Sequence, residues 1–220
     1  MHREVLIGQL DRLRIEVPGE ALDPMLWLLD ELLRWNRRIN LTAITDPLDA
    51  LEKHLVDSLS LVPLLEGTER LLDIGSGGGF PSLPVKLALR GLKVVSVDAV
   101  GKKVSFQRHV VRSLGLSGFE PLHARVEGLA GQAGRAAGFD LVVSRAFASL
   151  GDFARLARPF LASGGRIVAM KGSEGERELG EDLFRLEALG LRCSSLERFR
   201  LPASGAERTL VVMEESISRP

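Results

Sequence analysis

Few folds accommodate the segment Gly75-Ser76-Gly77-Gly78-Gly79, which follows an apolar run at residues 70–74. Four glycines in five residues sacrifice more backbone entropy than a simple turn requires. Glycine is needed where the chain turns sharply and comes close to a ligand, because a Cβ atom would clash there. Helical spacing of apolar residues resumes after Pro81. The segment therefore predicts a strand, a ligand-binding turn and a helix in direct succession.

Strand-like apolar runs alternate with helical patterns from residue 67 onward, which indicates a mostly parallel sheet covered by helices. The predicted strands are residues 70–74, 93–98, 119–123, 139–144, 166–171, 191–199 and 207–214. The predicted helices are residues 83–89, 103–114, 126–137, 150–160 and 176–189. Only a short loop separates the last two strands, so they are expected to form an antiparallel hairpin. The predicted fold class is α/β, with the seven-stranded, Rossmann-like sheet of class I methyltransferases.

The first 66 residues lack strand-like alternation, and their apolar residues recur at helical spacing. Turn signals divide this part of the chain at Pro18-Gly19, Asp46-Pro47 and Glu66-Gly67. We expect three or four short helices in a small N-terminal region, residues 1–66. A Rossmann-like methyltransferase domain is expected to occupy residues 67–220.

The spacing of the glycines tests which ligand the turn binds. The dinucleotide fingerprint G-x-G-x-x-G fails in both registers, because Phe80 or Ser82 stands where its third glycine belongs. The sequence instead fits D-x-G-x-G-x-G, the pattern of folds that bind S-adenosylmethionine. We therefore predict this cofactor, with Asp73 facing its cationic methionine end. The glycines expected to approach the cofactor are Gly75, Gly77 and Gly79.

Two further segments are candidates for the cofactor site. Asp98 ends the second predicted strand, where doubly wound nucleotide-binding folds place an acid for the ribose hydroxyls. It can alternatively cap the following helix, and one carboxylate can serve both roles. Val126 and Glu127 follow the third predicted strand, where such folds line an adenine pocket. A plain surface loop is the alternative interpretation of these two residues.

The end of the fourth predicted strand, Ser144-Arg145-Ala146-Phe147, narrows the choice of methyl acceptor. It lacks the Asn/Asp-Pro-Pro-aromatic segment usual in amino-group methyltransferases, which disfavours exocyclic amines. The single cysteine, Cys193, is expected far from this edge, which excludes pyrimidine C5 methylation through a thiol nucleophile. Arg145 and Lys171 would make the crevice positive and position a substrate. Arg145 can equally form a structural ion pair.

A guanine N7 suits such a crevice because its lone pair is already available on the exposed edge of the base. No proton has to be removed before it attacks a sulfonium methyl group, so no general base is required. Catalysis would then rest on alignment of donor and acceptor. We assign no catalytic acid or base and predict no metal site.

Composition excludes several classes of protein. Equal numbers of basic and acidic residues, 29 of each, argue against non-specific coating of nucleic acid such as DNA. A single cysteine cannot form an intrachain disulfide and fits a reducing compartment. Neither an export signal nor a membrane span is predicted, so the chain is expected to be cytoplasmic. Local basic clusters remain candidates for RNA contacts: Arg34, Arg37 and Arg38; Lys102, Lys103, Arg108, His109 and Arg112; Arg198, Arg200 and Arg208.

The chain from about Trp35 to Met213 resembles the bacterial 16S ribosomal RNA guanine-N7 methyltransferases, also called the glucose-inhibited division protein B family. The motifs that carry the resemblance are N-L-T at 40–42, K-H-x-x-D-S at 53–58, D-I-G-S-G-G-G-F-P at 73–81, S-R-A-F-A-S at 144–149, M-K-G at 170–172 and E-R-T-L-V-V at 207–212. The resemblance implies methyl transfer from S-adenosylmethionine to N7 of a guanine in the decoding region of 16S rRNA. Its substrate would be the 30S subunit or an assembly intermediate.

The resemblance also implies which residues contact the cofactor: Gly75, Phe80, Asp98, Ala99, Val100, Val126, Glu127 and Arg145. His54 and Asp57, one helical turn apart, are interpreted as a packing or cofactor-lid element rather than a catalytic dyad. Three alternatives remain open: methyl transfer to a small molecule or protein, a non-catalytic RNA- or partner-binding module, and an NAD-dependent oxidoreductase. A closed substrate pocket would favour the first alternative, and failure to bind S-adenosylmethionine would favour the second. A nicotinamide difference spectrum would favour the third.

Overall fold

A computed structural model of the chain describes residues 1–67, 69–129, 138–145, 147 and 149–216. The described strands form one seven-stranded sheet in the order β3-β2-β1-β4-β5-β7-β6. The strands are β1 (Arg70–Ile74), β2 (Lys93–Asp98), β3 (Phe119–His123), β4 (Phe139–Arg145), β5 (Leu161–Lys171), β6 (Leu191–Arg200) and β7 (Glu207–Glu215). Only β7 runs antiparallel to its neighbours, β5 and β6. The predicted fold class, including the C-terminal hairpin, is confirmed.

The helices between the strands are α5 (Ser82–Ala88), α6 (Gly101–Ser113), α7 (Leu150–Ala157) and α8 (Gly175–Ala188). Single 3₁₀ turns lie at Val126–Gly128 and Arg158–Phe160. The predicted helix at residues 126–137 is therefore described only as a 3₁₀ turn at its start, and residues 130–137 lie outside the described part. The other predicted elements are present, although β5 begins five residues earlier than expected.

Three helical segments precede the sheet. They are α1 (His2–Leu13), α2 (Gly19–Ile39) and α3 (Pro47–Ala50), the last continuing through a π-helical segment (Leu51–Val56) into α4 (Asp57–Leu59). A 3₁₀ turn, Val62–Leu64, follows. Asp46 caps α3 by accepting hydrogen bonds from the backbone N–H groups of Leu48 and Asp49. The expectation of short helices is wrong for α2, whose 21 residues bury an apolar stripe that includes Leu22, Met25 and Leu29.

Each face of the sheet has its own hydrophobic core. One core joins the N-terminal helices, α5 and α6 to one face, and includes Leu28, Leu55 and Phe106. The other packs α7 and α8 against the opposite face, around Phe153 and Leu186. The N-terminal helices thus share a core with the sheet. The division into regions 1–66 and 67–220 stays a prediction.

Register decides which residues meet at the carboxyl edge of the sheet. Arg145 at the end of β4 pairs with Met170, one residue before the end of β5. Lys171 pairs with Thr209 near the start of β7. Cys193 pairs with Met213, near the opposite edge, as the sequence predicted. The carboxyl ends of β4 and β5 therefore lie side by side next to the start of β7, at the edge where open α/β sheets bind ligands.

Candidate active site at the carboxyl edge of the sheet

Two cavities adjoin at the carboxyl edge, and Phe147 lines both. The smaller, of about 260 Å³, lies at the ends of β1 and β2 and the turn after β3. The larger, of about 520 Å³, lies between the ends of β4 and β5, the start of β7 and the π-helical segment. The edge therefore offers two compartments that meet at one aromatic side chain.

Asp98 organises the smaller cavity. Its Oδ2 accepts a hydrogen bond from the Gly77 N–H at 2.8 Å, and its Oδ1 accepts one from the Val100 N–H at 2.8 Å. Helix α6 begins at Gly101 without a side-chain cap, so Asp98 ties the glycine turn to the loop after β2 rather than capping the helix. Each carboxylate oxygen keeps a further acceptor site.

The glycines of the turn have different reasons for being glycine. Gly75 and Gly79 have φ values of +71° and +90°, a region that favours glycine. A Cβ atom on Gly75 would meet no atom within 4 Å, whereas one on Gly79 would lie 2.5 Å from Cδ1 of Leu83. Gly75 thus lines the cavity, while Gly79 permits close packing of α5.

Gln107 holds the glycine turn from α6. Its Nε2 donates hydrogen bonds to Ser76 Oγ at 2.9 Å and to the Gly77 carbonyl at 2.8 Å. The side chain is fully buried. Sequence reasoning missed this residue, and its only signal was a polar side chain within the buried stripe of a helix.

Asp73 lies buried beneath the turn. Its Oδ2 accepts a hydrogen bond from the Ser82 N–H at 3.3 Å, and its Oδ1 has no hydrogen-bond partner among the described residues. Burial raises the pKa of Asp73 to about 7, against the lowering effects of the Ser82 hydrogen bonds and of Arg145. The carboxyl group is therefore poised to gain a cationic or hydrogen-bonding partner.

Arg145 is held by the N-terminal helical segment. Its Nη1 donates to the Lys53 carbonyl at 2.7 Å and lies 3.6 Å from Oδ2 of Asp57. Its Nη2 lies 3.3 Å from Nδ1 of His54. Lys53 and His54 belong to the π-helical segment, and π-bulges often occur at functional sites. The structural ion pair considered for Arg145 is thus present.

His54 is buried between polar and aromatic neighbours. Its Nε2 lies 3.0 Å from Oγ1 of Thr42, and its ring lies 4.8 Å from that of Phe80. Burial lowers the pKa of His54 to about 3, and the charges of Arg145 and Lys53 contribute. The imidazole is therefore neutral at physiological pH.

Asp57 and Lys171 complete the wall of the larger cavity. Asp57 Oδ1 accepts a hydrogen bond from Arg208 Nε at 2.9 Å; burial raises the pKa of Asp57, and the adjacent arginines oppose the rise. Lys171 Nζ lies 2.6 Å from Oε2 of Glu178 and donates to the Phe147 carbonyl at 2.8 Å. Lys171 thus fixes the residue that lies between the two cavities.

The predicted site residues separate into three groups. Those lining the smaller cavity are Gly75, Asp98, Ala99, Val126 and Glu127. Those lining the larger cavity are Arg145 and Lys171. Those lining neither are Asp73, Gly77, Gly79, Phe80 and Val100. Contact of any of these residues with a cofactor stays a prediction.

Among the described residues, no helix has both the length and the apolar character to cross a membrane. In the same part of the chain, no three His, Cys, Asp or Glu side chains come together as metal ligands would.

Sequence comparisons agree on one family, and a solved structure shares the fold. The "Ribosomal RNA small subunit methyltransferase G" of Syntrophotalea carbinolica is 49% identical over 210 residues, 96% of each chain. The protein of the same name from Geotalea uraniireducens is 46% identical over 213 residues, 97% of this chain and 96% of that one. M. jannaschii TYW2, solved in complex with AdoMet, shares the fold at 14% identity and a TM-score of 0.58, over 74% of this chain and 76% of its own. The family described as "GidB: rRNA small subunit methyltransferase G" matches residues 22–210, and the chain belongs to this family.

Proposed function

We propose that this chain transfers a methyl group from S-adenosylmethionine to N7 of a guanine in 16S rRNA. The observation that carries the proposal is the pair of cavities meeting at Phe147, one shaped by the glycine turn and the other by a cluster of charged side chains. Such a pair provides a cofactor site and a substrate site at the switch point of an α/β sheet. Family membership supplies the class of substrate.

The residues of the smaller cavity fit S-adenosylmethionine. Gly75 leaves open space where a Cβ would stand, and Asp98 retains acceptor capacity for the ribose hydroxyls. Asp73 lies buried beneath the glycine turn rather than in the cavity wall, and its oxygen without a described partner would favour a positive group bound nearby. Val126 and Glu127 line the part expected to receive adenine. When bound, the cofactor supplies an electrophilic methyl group on a sulfonium.

The larger cavity is proposed to receive the guanine. Its lining includes four cationic side chains, from Lys53, Arg145, Lys171 and Arg208. Arg145 is held rigidly by the Lys53 carbonyl, His54 and Asp57, so its guanidinium can orient an acceptor on the base without reorganising. N7 needs no deprotonation, and the neutral His54 has no proton-transfer task in this scheme. Alignment of the acceptor with the methyl group is the main contribution.

The proposed substrate is 16S rRNA within the 30S subunit or an assembly intermediate, which places the reaction in the cytoplasm. The test is transfer of radiolabel from S-adenosylmethionine to 30S subunits from a bacterial strain that lacks this activity. The labelled nucleoside is identified by mass spectrometry. Protein-free 16S rRNA is assayed in parallel.

Two glycine variants control the assay. Gly75→Asp fills the cofactor cavity and is expected to abolish labelling. Gly180 is exposed on α8, and a Cβ atom there would meet no atom within 4 Å, so Gly180→Asp is expected to retain labelling. Labelled 7-methylguanosine that disappears only with Gly75→Asp supports the proposal. Cofactor binding without any labelled RNA would contradict it and redirect the search to small-molecule or protein acceptors.

A further inference from the structure

The C-terminal half of α2 and the exposed side of α6 form a basic surface, here called the α2/α6 surface. Its exposed cationic residues are Arg34, Arg37 and Arg38 on α2 and Lys102, Arg108 and Arg112 on α6. Helix α6 contains no acidic residue, and the α2 sequence after Glu31 contains none either. Positive charge on this surface is therefore concentrated although the whole chain is neutral.

Aromatic packing brings the two basic segments together. Trp35 of α2 contacts Phe106 of α6 edge-on at 5.5 Å between ring centroids and lies 5.0 Å from the ring of His109. His109 Nε2 lies 2.9 Å from Oε2 of the buried Glu31, which also pairs with Arg34. Two clusters that are about 70 residues apart in the sequence thus become one surface with a tryptophan at its centre.

The cations of this surface differ from those on α8 and the β6–β7 hairpin. On α8 and the β6–β7 hairpin, arginines are neutralised by carboxylates, as in the pairs Arg198–Glu176 and Arg177–Glu181. Arg200 likewise pairs with Glu207. No ion pair with a described residue is present for five cations of the α2/α6 surface: Arg37, Arg38, Lys102, Arg108 and Arg112. Uncompensated positive charge at such density favours a polyanionic partner.

A groove of about 480 Å³ opens beside Trp35 and is lined by Arg34, Trp35, Arg38 and Ile39. Its volume lies within the range of roughly 300–1,000 Å³ that ligand pockets occupy. We propose that the α2/α6 surface binds the backbone of the RNA substrate and that an unpaired base stacks on Trp35 in this groove. Aromatic side chains flanked by arginines bind single-stranded RNA in this way, because every base has a π face and every linkage a phosphate.

The helices that carry the α2/α6 surface pack beside the glycine turn of the proposed active site, and the inference rests on the proposed function. Leu32, one helical turn before Trp35, packs near Gly78, where a Cβ would come within 3.5 Å of its Cδ1. Lys103 Nζ lies 4.0 Å from the place of a Cβ on Gly77. RNA on this surface would therefore approach the glycine turn while a nearby guanine entered the larger cavity.

The experiment measures binding of protein-free 16S rRNA by filter retention between about 50 and 200 mM salt. The variants are Trp35→Ala, Trp35→Phe and the double variant Arg37→Ala/Arg38→Ala. The matched control is the double variant Arg198→Ala/Arg200→Ala, which removes two exposed arginines that carboxylates already neutralise. Binding of S-adenosylmethionine by calorimetry checks that each variant is folded.

The Arg37/Arg38 double variant is expected to lose about tenfold in RNA affinity and to lower the salt slope by about 1 to 2. Trp35→Ala is expected to lose at least about fivefold, with most of that loss recovered in Trp35→Phe, because stacking tolerates any aromatic ring. The control should bind like wild type. Wild-type RNA affinity in the Arg37/Arg38 variant, or an equal loss in the control, overturns the inference.

The result is separable from that of the proposed function. If wild type methylates 30S subunits but the Arg37/Arg38 variant binds RNA normally, the α2/α6 surface is not the RNA-binding surface and the proposed activity stands. If wild type neither binds nor methylates RNA, both fail.

Discussion

Replacing Asp73 by asparagine is expected to stabilise the cofactor-free chain at neutral and alkaline pH. The buried carboxyl has a pKa raised to about 7, against an ordinary value of 3.8. A difference of about 3 pKa units corresponds to about 4 kcal/mol. Because the folded chain then binds more protons than the unfolded chain between about pH 4 and 7, the free energy of unfolding falls as pH rises through that window. Asparagine has a similar shape and carries no charge, so the variant should not lose this stability as pH rises.

Urea unfolding followed by circular dichroism, at intervals from about pH 5 to 8, measures the effect. The stability of Asp73→Asn relative to wild type should increase by about 2.5 kcal/mol between about pH 5 and 8, the part of the total that falls within this range. His54 also titrates abnormally, but it does so in both chains and cancels in the difference. Parallel stability curves for the two chains would refute the burial argument.

The same carboxyl connects stability to cofactor binding. Binding of a cationic ligand favours the ionised form of Asp73, so below about pH 7 it should release a proton. Calorimetry of S-adenosylmethionine binding at about pH 6.5, in buffers of different ionisation enthalpy, detects this release. Asp73→Asn should bind more weakly and release less, whereas equal release from both chains would remove Asp73 from the cofactor site.

Gly79→Ala is expected to destabilise the chain by at least about 1–3 kcal/mol in urea unfolding, because its φ is +90° and its Cβ would lie 2.5 Å from a Leu83 carbon. Gly8→Ala, in open space on α1, should instead stabilise by up to about 1 kcal/mol, and equal effects would contradict the packing argument. Asp57→Ala should lower the free energy of unfolding by about 3–5 kcal/mol, since it leaves two partly buried arginines without their carboxylate. A loss below about 1 kcal/mol, as for a surface ion pair, would contradict this prediction. The imidazole of His54 should remain neutral down to about pH 5 by ¹⁵N NMR, and a titration midpoint near 6.5 would show that it is not buried as described.

The elements of the fold could be predicted because their signals are local. The apolar run at residues 70–74 and the glycines after it occupy β1 and its turn as expected, since periodicity and glycine chemistry act within a few residues. The first three strands have their predicted bounds. The early start of β5 was missed because residues 161–165, with two glycines, carry no strand pattern of their own.

The site was predicted less completely, because its contacts join distant parts of the chain. Sequence motifs singled out His54, Asp57, Arg145 and Arg208. They did not predict that Asp57 lies between the two arginines. The role of Gln107 in holding the glycine turn depends on how α6 packs, which no local pattern encodes.

The sequence by itself determined the class of fold, the position of the glycine turn and the family resemblance, because these depend on the order and spacing of residues along the chain. Only the tertiary structure decided which of the three basic clusters has positive charge that no nearby carboxylate balances. Arg198 and Arg200 meet carboxylates from α8 and the adjacent strand, whereas Arg37 and Arg38 meet none among the described residues. The physical reason is that electrostatic neutralisation depends on separation in space, and a linear sequence does not specify that distance.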